Sequence, residues 1–330
     1  MALFHDDPTK PAVAAGVVAT TVEEALEAGD ALGQAGLGAD GSGPAALTQW
    51  QLFRRRFLRH KLAVAGGVVL LLLYLMAIFA PLIAPYPLNP ALTAQVLLAA
   101  RHGPSLSHLL GTDELGRDQL TRVMYAGRVS LLIGLSVSLV STLVGVTLGS
   151  IAGFFGGRVD QLIMRLTDLF LIVPGLAILM IAQRGFGSST LVIILIVSVL
   201  YWQVIARVVR GVFLSLREKE FIEAARASGA SAWRIITRHL LPNTIGPIVV
   251  NTTLVVGYAI LTESVLSFLG FGIQPPAVSW GSMLAQSEGS VGTSTAYLVY
   301  FPGLFILVTV LAVNFLGDGL RDAFDPQSQR

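Results

Sequence analysis

The chain of 330 residues is 54% hydrophobic and only 13% charged, a composition outside the range of soluble globular proteins. It has no cysteine, which excludes disulfides and thiolate metal sites, and its formal net charge of +2 gives no support to nucleic-acid binding. Its lysines are Lys10, Lys61 and Lys219, and none follows a glycine, so the chain cannot contain the phosphate-binding loop of a P-loop ATPase.

Residues 1–49 form an acidic segment rich in alanine and glycine. Thr21 and Glu24 have the spacing of a capping box, which is compatible with a short helix over residues 22–32. The composition favours a solvated, disordered cytoplasmic tail instead. The first long apolar stretch begins only at Leu62, so we expect no cleaved signal peptide.

Beyond Leu62, long stretches that are almost free of charge alternate with charged segments. Each long stretch is near the roughly 20 residues that a helix needs to cross about 30 Å of hydrocarbon. The third is marginal in length, and Pro174 within it predicts a kink. We therefore predict an all-α integral membrane protein with six transmembrane helices, over residues of about 62–84, 129–156, 166–184, 188–207, 242–265 and 297–317.

The distribution of lysine and arginine predicts the orientation, because these residues gather on the cytoplasmic side of membrane proteins. If both termini are inside, most of these residues lie inside, including the run from Arg54 to Lys61. The outer segments, about residues 85–127 and 270–296, hold few of them. We therefore predict that both termini are cytoplasmic.

The segment of about residues 218–238, between the fourth and fifth spans, has the start and stop signals of two short helices. Gly229 suits a left-handed helix end, Ser231 can cap a second helix, and Pro242 is expected to stop that helix. Such a pair, lying on the membrane surface, suits docking to another protein.

The first of these helices carries a charged face. Glu220, Glu223 and Arg226 lie three residues apart, and Ala224 and Ala225 permit close approach of a partner's backbone. On residue chemistry alone, the preferred interpretation is a solvated amphipathic loop stabilised by local Glu–Arg pairs.

Glycines recur at four-residue spacing in the second span, at Gly145, Gly149 and Gly153. Small residues at this spacing allow close helix packing in lipid. Packing within the bundle is the preferred interpretation, and a sliding contact between subunits is the alternative.

Two regions of the outer segments hold polar or aromatic candidates. The charges of Asp113, Glu114, Arg117 and Asp118 are expected to order their loop by ion pairing, or to contact a partner protein. Trp280 follows a Pro-Pro pair and is expected to be an interfacial aromatic residue.

The docking segment also has a recognisable spacing. Glu223-Ala224-Ala225, Gly229 and Leu241-Pro242 are spaced as in the signature of the transmembrane subunits of ABC importers. His239 stands where that signature has an apolar residue, a departure that the peptide branch of the family tolerates. Further blocks, at residues 55–63, 108–118, 267–276 and 316–326, match the same branch. From about residue 50 to its end, the chain resembles the C-type permease subunit of dipeptide, oligopeptide and nickel importers.

The resemblance implies the type I ABC importer permease fold, with a cytoplasmic coupling helix that sits in a groove of an ATP-hydrolysing subunit. The residues implied in coupling are Glu220, Glu223, Ala224, Ala225, Gly229, His239, Leu241 and Pro242. It also implies a homologous second permease, two ATPase subunits and an extracytoplasmic solute-binding protein in a bacterial inner membrane. The chain itself is then non-catalytic and holds no metal or cofactor, because ATP and Mg are used by the partner subunits.

Within that family, two residues are candidates for the translocation path or its gate. Glu263 is an ionisable group at membrane depth, so it can either face the path or accept hydrogen bonds from nearby backbone. Pro174 either gates the path or only shapes the bundle. In the outer segments, Asp113, Glu114, Arg117, Asp118 and Trp280 are the candidates for contact with the binding protein.

Other functions remain open to different degrees. Short peptides are the favoured cargo, and nickel or another peptide-like solute is the alternative. An ion-driven secondary transporter would need midplane acids in symmetric halves, and only Glu263 fits. An intramembrane protease or metalloenzyme lacks the required residues, because no histidine is central to a predicted span.

Overall fold

The computed structural model describes residues 49–91, 93–172 and 174–324. The chain divides into two units, Met1–Leu52 and Phe53–Arg330, and only residues 49–52 of the first are described. The acidic tail and its expected helix at residues 22–32 therefore lie outside the described residues. The described ranges contain helices and no strand, which confirms the all-α prediction.

The helices, labelled in chain order, are α1 (Gln49–Arg59), α2 (Lys61–Ile78), α3 (Ala80–Ile83), α4 (Ala94–Leu98), α5 (Gln119–Phe155), α6 (Gly157–Ile172), α7 (Gly175–Phe186), α8 (Thr190–Ser198), α9 (Trp202–Arg217), α10 (Glu220–Ala227), α11 (Ala232–Ile235), a π-helical turn (Ile236–Leu240), α12 (Leu241–Phe268), α13 (Trp280–Gln286), a 3-10 turn (Glu288–Ser290) and α14 (Tyr297–Phe324). In the described residues, five helical stretches are long and apolar enough to cross a membrane, and six if the bent pair α6–α7 counts as one span.

The long helix α5 begins well before the predicted second span. Its start is fixed by Asp118, whose carboxylate accepts a hydrogen bond from the Thr121 amide at 2.8 Å and so caps the helix. Arg122 lies inside the first turns, where Asp113 pairs with its guanidinium. Helix α5 thus continues outward beyond the predicted span of about residues 129–156, because the charge of Arg122 is neutralised within the fold.

Close packing of α5 on α9 explains the spaced glycines. A Cβ on Gly145 would lie 2.6 Å from the Trp202 carbonyl oxygen, and one on Gly149 would lie 2.5 Å from that of Ala206. No side chain fits at such distances, so the glycines let two backbones of the same chain touch. These glycines thus serve packing within the bundle, and the alternative of a sliding contact between subunits is wrong.

The third predicted span is broken rather than kinked. Helices α6 and α7 meet at an angle of 88°, with Pro174 at the N-terminal cap of α7. Proline has no amide hydrogen to donate and breaks a regular helix, and α7 begins directly after Pro174 in a new direction. Pro174 is exposed at this corner.

Three clusters of buried apolar side chains hold the described bundle together, and two of them include residues discussed below. One surrounds Trp280 and Leu131, where α2, α5, α13 and α14 meet. The other includes Phe213 of α9 and extends to Ile222 and Ile235, in the segment between α9 and α12. The core therefore reaches the segment for which the sequence predicts docking.

Candidate functional site

The segment between α9 and α12 folds as two short helices joined at a glycine. Gly229 has φ of +76°, and the Ala230 amide donates to the Ala225 carbonyl at 3.0 Å, which is the hydrogen bond of a left-handed helix end. Ser231 then caps α11, because its hydroxyl accepts from the Arg234 amide at 3.4 Å. Both local predictions for this segment, the glycine end and the serine cap, are confirmed.

The inner side of this segment is fixed to the bundle. Ile222 and Ile235 are 0% and 2% exposed and belong to the same apolar cluster as Phe213. The guanidinium of Arg226 lies 6.0 Å from the ring centroid of Phe154, near the end of α5, in a cation–π contact. The segment is thus held against the ends of two membrane helices.

The other side of the segment is open. Glu220, Glu223 and Ala224 are exposed, and so are the aromatic rings of Phe221 and Trp233, at 43% and 73%. Neither glutamate forms a salt bridge with a described residue, so the local Glu–Arg pairs of the solvated-loop interpretation are absent from the described part. Exposed aromatic rings beside unpaired carboxylates are typical of a surface that binds another protein. We call Glu220–Ile235 the docking surface.

The junction with α12 differs from the prediction. Pro242 was expected to stop the second helix, but α11 continues through the π-helical turn Ile236–Leu240 into α12. The Leu241 amide donates to the Ile236 carbonyl, five residues back, so the wider turn comes just before the proline. Pro242 then lies in the first turn of α12, directly after the π-helical turn.

His239 lies in this π-helical turn and is half-buried. Its carbonyl accepts a hydrogen bond from the side-chain amide of Asn243 at 2.6 Å. A half-buried position accepts an imidazole, whose ring is apolar and whose nitrogens can reach water. This explains how histidine is accommodated where the signature has an apolar residue.

Glu263 is buried within this chain, with 0% exposure. Its Oε1 accepts hydrogen bonds at 2.7 Å from the hydroxyls of Ser267 and Ser279. Ser130 lies beside the carboxyl, but Oε2 has no partner of normal geometry in the described residues. Glu263 therefore faces no open path within this chain, and its donors are serine hydroxyls instead of the expected backbone amides.

The carboxylates of the loop before α5 act inside the fold. Asp113 is 4% exposed and accepts from the amides of Leu115 and Arg117, both at 2.9 Å, and from the Arg117 side chain at 2.6 Å. Asp118 is equally buried and pairs with His108 at 2.9 Å. These contacts support the interpretation that the charges order the loop. The two buried aspartates offer no surface for a partner.

The outward-facing member of this group is Glu114, which is exposed and pairs with Arg101 at 2.8 Å. Arg122 links the loop to α13, because its guanidinium also donates to the Gln286 side chain at 2.7 Å. The sequence did not single out Gln286. The residues next to Gln286 in the sequence could not have indicated this contact, because it joins elements that are far apart in the chain.

Trp280 is not an interfacial aromatic residue. It is 0% exposed, and its indole nitrogen donates to the Val123 carbonyl at 3.0 Å. Its own amide donates to the Ser130 hydroxyl at 3.1 Å, so the residue ties α13 to α5. The expectation that it meets the membrane surface or a partner protein is wrong, because the whole ring is buried in the core of this chain.

Comparison with known proteins decides the family. Residues 145–330 match the model described as the inner membrane component of binding-protein-dependent transport systems. The chain belongs to this family. Residues 48–104 also match the N-terminal transmembrane domain of oligopeptide transport permease C, which agrees with the C-type resemblance of the first span.

Individual permeases of the family align with most of the chain. It is 41% identical over 276 residues to the dipeptide transport system permease protein of Bacillus subtilis, covering 84% of this chain and 85% of that protein. It is 42% identical over 282 residues to the glutathione transport system permease protein of Pectobacterium atrosepticum, covering 85% and 92%. Against the oligopeptide transport system permease protein of Escherichia coli, identity is 41% over 280 residues, again covering 85% and 92%.

Proposed function

We propose that this chain is one permease subunit of an ATP-driven importer of short peptides, and that its docking surface seats an ATP-hydrolysing subunit in the cytoplasm. The observation that supports the proposal best is that Glu220–Ile235 has one buried side and one exposed side. Its inner side is anchored by Ile222 and Ile235, while its outer side presents exposed aromatic rings and carboxylates that form no salt bridge with a described residue. The names of the related permeases, for dipeptides, oligopeptides and glutathione, support peptides as cargo.

The continuity of the helix supports a mechanical role. From Ala232 to Phe268 the chain is helical without a break, so a force applied at Trp233 acts on one end of a membrane helix. A second connection runs through the buried contacts of Ile222 with the apolar cluster that includes Phe213 of α9. Closure of an ATPase pair around ATP would thus move α9 and α12 together. This chain's part is to receive and transmit that movement, whereas ATP and Mg are bound by the partners.

The complete assembly would contain a homologous second permease, two ATPase subunits and a solute-binding protein outside the membrane. The substrate path would lie between the two permeases, with each chain forming half of it. The family description, which names dependence on a binding protein, supports the last of these partners. The family description supports an inner-membrane location, and the lysine and arginine distribution supports an orientation with both termini inside.

The test is uptake by the reconstituted complex with Glu223→Lys and Gly229→Val. We expect both variants to insert normally but to lose ATP-dependent dipeptide uptake while ATP hydrolysis continues. Glu288→Lys reverses an exposed glutamate elsewhere, and Gly292→Val alters a glycine with φ of +74° and open space around it, as at Gly229. Both control variants should transport normally. Wild-type uptake by the two docking variants would overturn the proposal.

The same vesicles distinguish the alternatives of cargo and of energy source. A series of dipeptides is compared with nickel, each with ATP and with a non-hydrolysable nucleotide inside. Peptide uptake that needs hydrolysis is the expected result. Nickel uptake alone would change the cargo, and uptake driven by an ion gradient without ATP would replace the proposal with secondary transport.

A further inference from the structure

An open groove of about 550 Å³ lies between α2 and the first half of α5. Its walls are apolar and include Tyr74 and Ile78 on one side and Leu132 and Leu135 on the other. Arg128 is the charged residue among the described side chains that line it. An apolar groove with a single cation at one end is complementary to an amphiphile.

Arg128 has no anionic partner in the described part of the chain. It is exposed, forms no salt bridge there, and lies 5.9 Å from the ring centroid of Tyr125. The aromatic ring holds the guanidinium by a cation–π contact but leaves its hydrogen-bond donors available. A carboxylate or phosphate from another molecule can therefore bind there in the bidentate geometry that arginine favours.

The position of Arg128 along α5 places it at headgroup depth. From Val129 to Phe155 the helix carries no charge, a length of about 40 Å at 1.5 Å per residue. The hydrocarbon of a bilayer is about 30 Å thick, so the charge-free part spans it and Arg128 lies at its boundary. Lipid phosphates occupy this level of a membrane.

Beyond Arg128, a stripe of exposed leucines continues along the same face of α5. Its members are Leu132, Leu135, Leu139 and Leu143, exposed at 52%, 52%, 58% and 61%. From the first to the last is about 16 Å, close to the thickness of one leaflet. The cation and the stripe thus match the phosphate and one acyl chain of a single phospholipid.

We propose that this groove binds a phospholipid with a net negative headgroup. Its phosphate accepts hydrogen bonds from Arg128, and an acyl chain lies against Leu132 and Leu135. A zwitterionic headgroup carries a cation close to the same phosphate, whereas a net negative headgroup does not, so Arg128 attracts the net negative lipid more strongly. The proposal depends on α5 crossing the membrane and is independent of cargo and of ATPase docking.

The first test compares lipid retention by the whole complex. Complexes with wild-type chain, Arg128→Gln and Arg184→Gln are purified from membranes of equal phosphatidylglycerol and phosphatidylcholine content, and bound lipid is counted by native mass spectrometry. We expect Arg128→Gln to retain the phosphatidylglycerol up to about fivefold less well, the upper end for an exposed ion pair. Arg184 is an exposed arginine on α7 outside this groove, and its variant should behave as wild type. Equal retention by all three overturns the proposal.

The second test asks whether protein covers the groove. Since the chain has no cysteine, Leu135→Cys introduces its single thiol, which can carry a nitroxide spin label in a complex whose other subunits lack reactive cysteine. Strong relaxation by oxygen dissolved in the bilayer is the expected result for a lipid-filled groove. Weak relaxation by both oxygen and a water-soluble nickel chelate would show that a protein partner occupies the groove, which also overturns the proposal.

Discussion

Arg210 donates two hydrogen bonds to the carboxylate of Asp160, the second from Nη2 to Oδ2 at 2.6 Å, and this fork joins α9 to α6. Arg207 forms another bridge to Asp168 at 2.5 Å. Since α9 leads into the docking surface and α6 leads to the break at Pro174, the two bridges connect these parts of the chain. Neither bridge was predicted, because the four charges come from segments that only the fold brings together.

We expect Asp160→Asn to destabilise the complex by about 1.5–3 kcal/mol, the range for a hydrogen bond to a charged group. The forked pair is only partly exposed, with Asp160 at 15%, so loss of the carboxylate leaves a guanidinium without its partner. Thermal unfolding in detergent measures the change. Exchange of the two residues, Asp160→Arg with Arg210→Asp, should restore part of the stability.

Glu218→Gln is the control, because its ion pair with Arg217 leaves Glu218 71% exposed and is expected to contribute little. If Asp160→Asn and Glu218→Gln unfold at the same temperature, the bridge has no structural role.

Gly149→Ala should destabilise the chain by about 1–3 kcal/mol through overpacking. The added methyl would meet the Ala206 carbonyl oxygen at 2.5 Å, and this atom belongs to the backbone of α9 and cannot turn aside. Gly211→Ala on α9 is the matched control, since an added Cβ there has nothing within 4 Å. The control should be neutral or slightly stabilising in a helix. Equal thermal stability of the two variants would contradict the proposed close contact of α5 and α9.

Much of the fold follows from local chemistry that the sequence displays. Ser231 and Gly229 act where their capping and conformational preferences place them, and charge-poor stretches mark the membrane helices. Charge alone did not predict that α5 begins ahead of its span, because Arg122 is neutralised by Asp113 inside the structure. The prediction that Pro242 stops the preceding helix was wrong, because a π-helical turn before Pro242 lets the helix continue into α12.

The site was harder to predict where burial decides the role. Trp280 has the composition signal of an interfacial residue, yet its partners Val123 and Phe305 lie on distant helices and enclose it. Trp233 was not selected, although it is the most exposed aromatic residue of the docking surface. No local pattern distinguishes these two tryptophans. Their exposure depends on which helices pack on each side.

Glu263→Gln should retain transport close to the wild-type level, because a glutamine oxygen can accept the same bonds from Ser267 and Ser279. Glu263→Ala leaves both hydroxyls without their acceptor in a buried position, and we expect a loss of about 1–3 kcal/mol in stability. Uptake and thermal unfolding are measured on the same preparations. A large loss of uptake in Glu263→Gln, at unchanged stability, would show instead that the charge itself acts on the path.

Trp233→Ala tests the docking surface at its most exposed ring. The side chain is 73% exposed and packs little within this chain, so truncation should not lower the unfolding temperature. If the ring fills a groove of the ATPase subunit, its loss should weaken assembly by about 2 kcal/mol or more, as for aromatic residues at the centre of interfaces. Affinity of purified ATPase subunit for the permease in nanodiscs is the measurement. Ile222→Ala is the contrasting variant, because Ile222 is fully buried and its loss should lower stability first. Unchanged affinity in Trp233→Ala would mean that the ATPase subunit does not contact this ring.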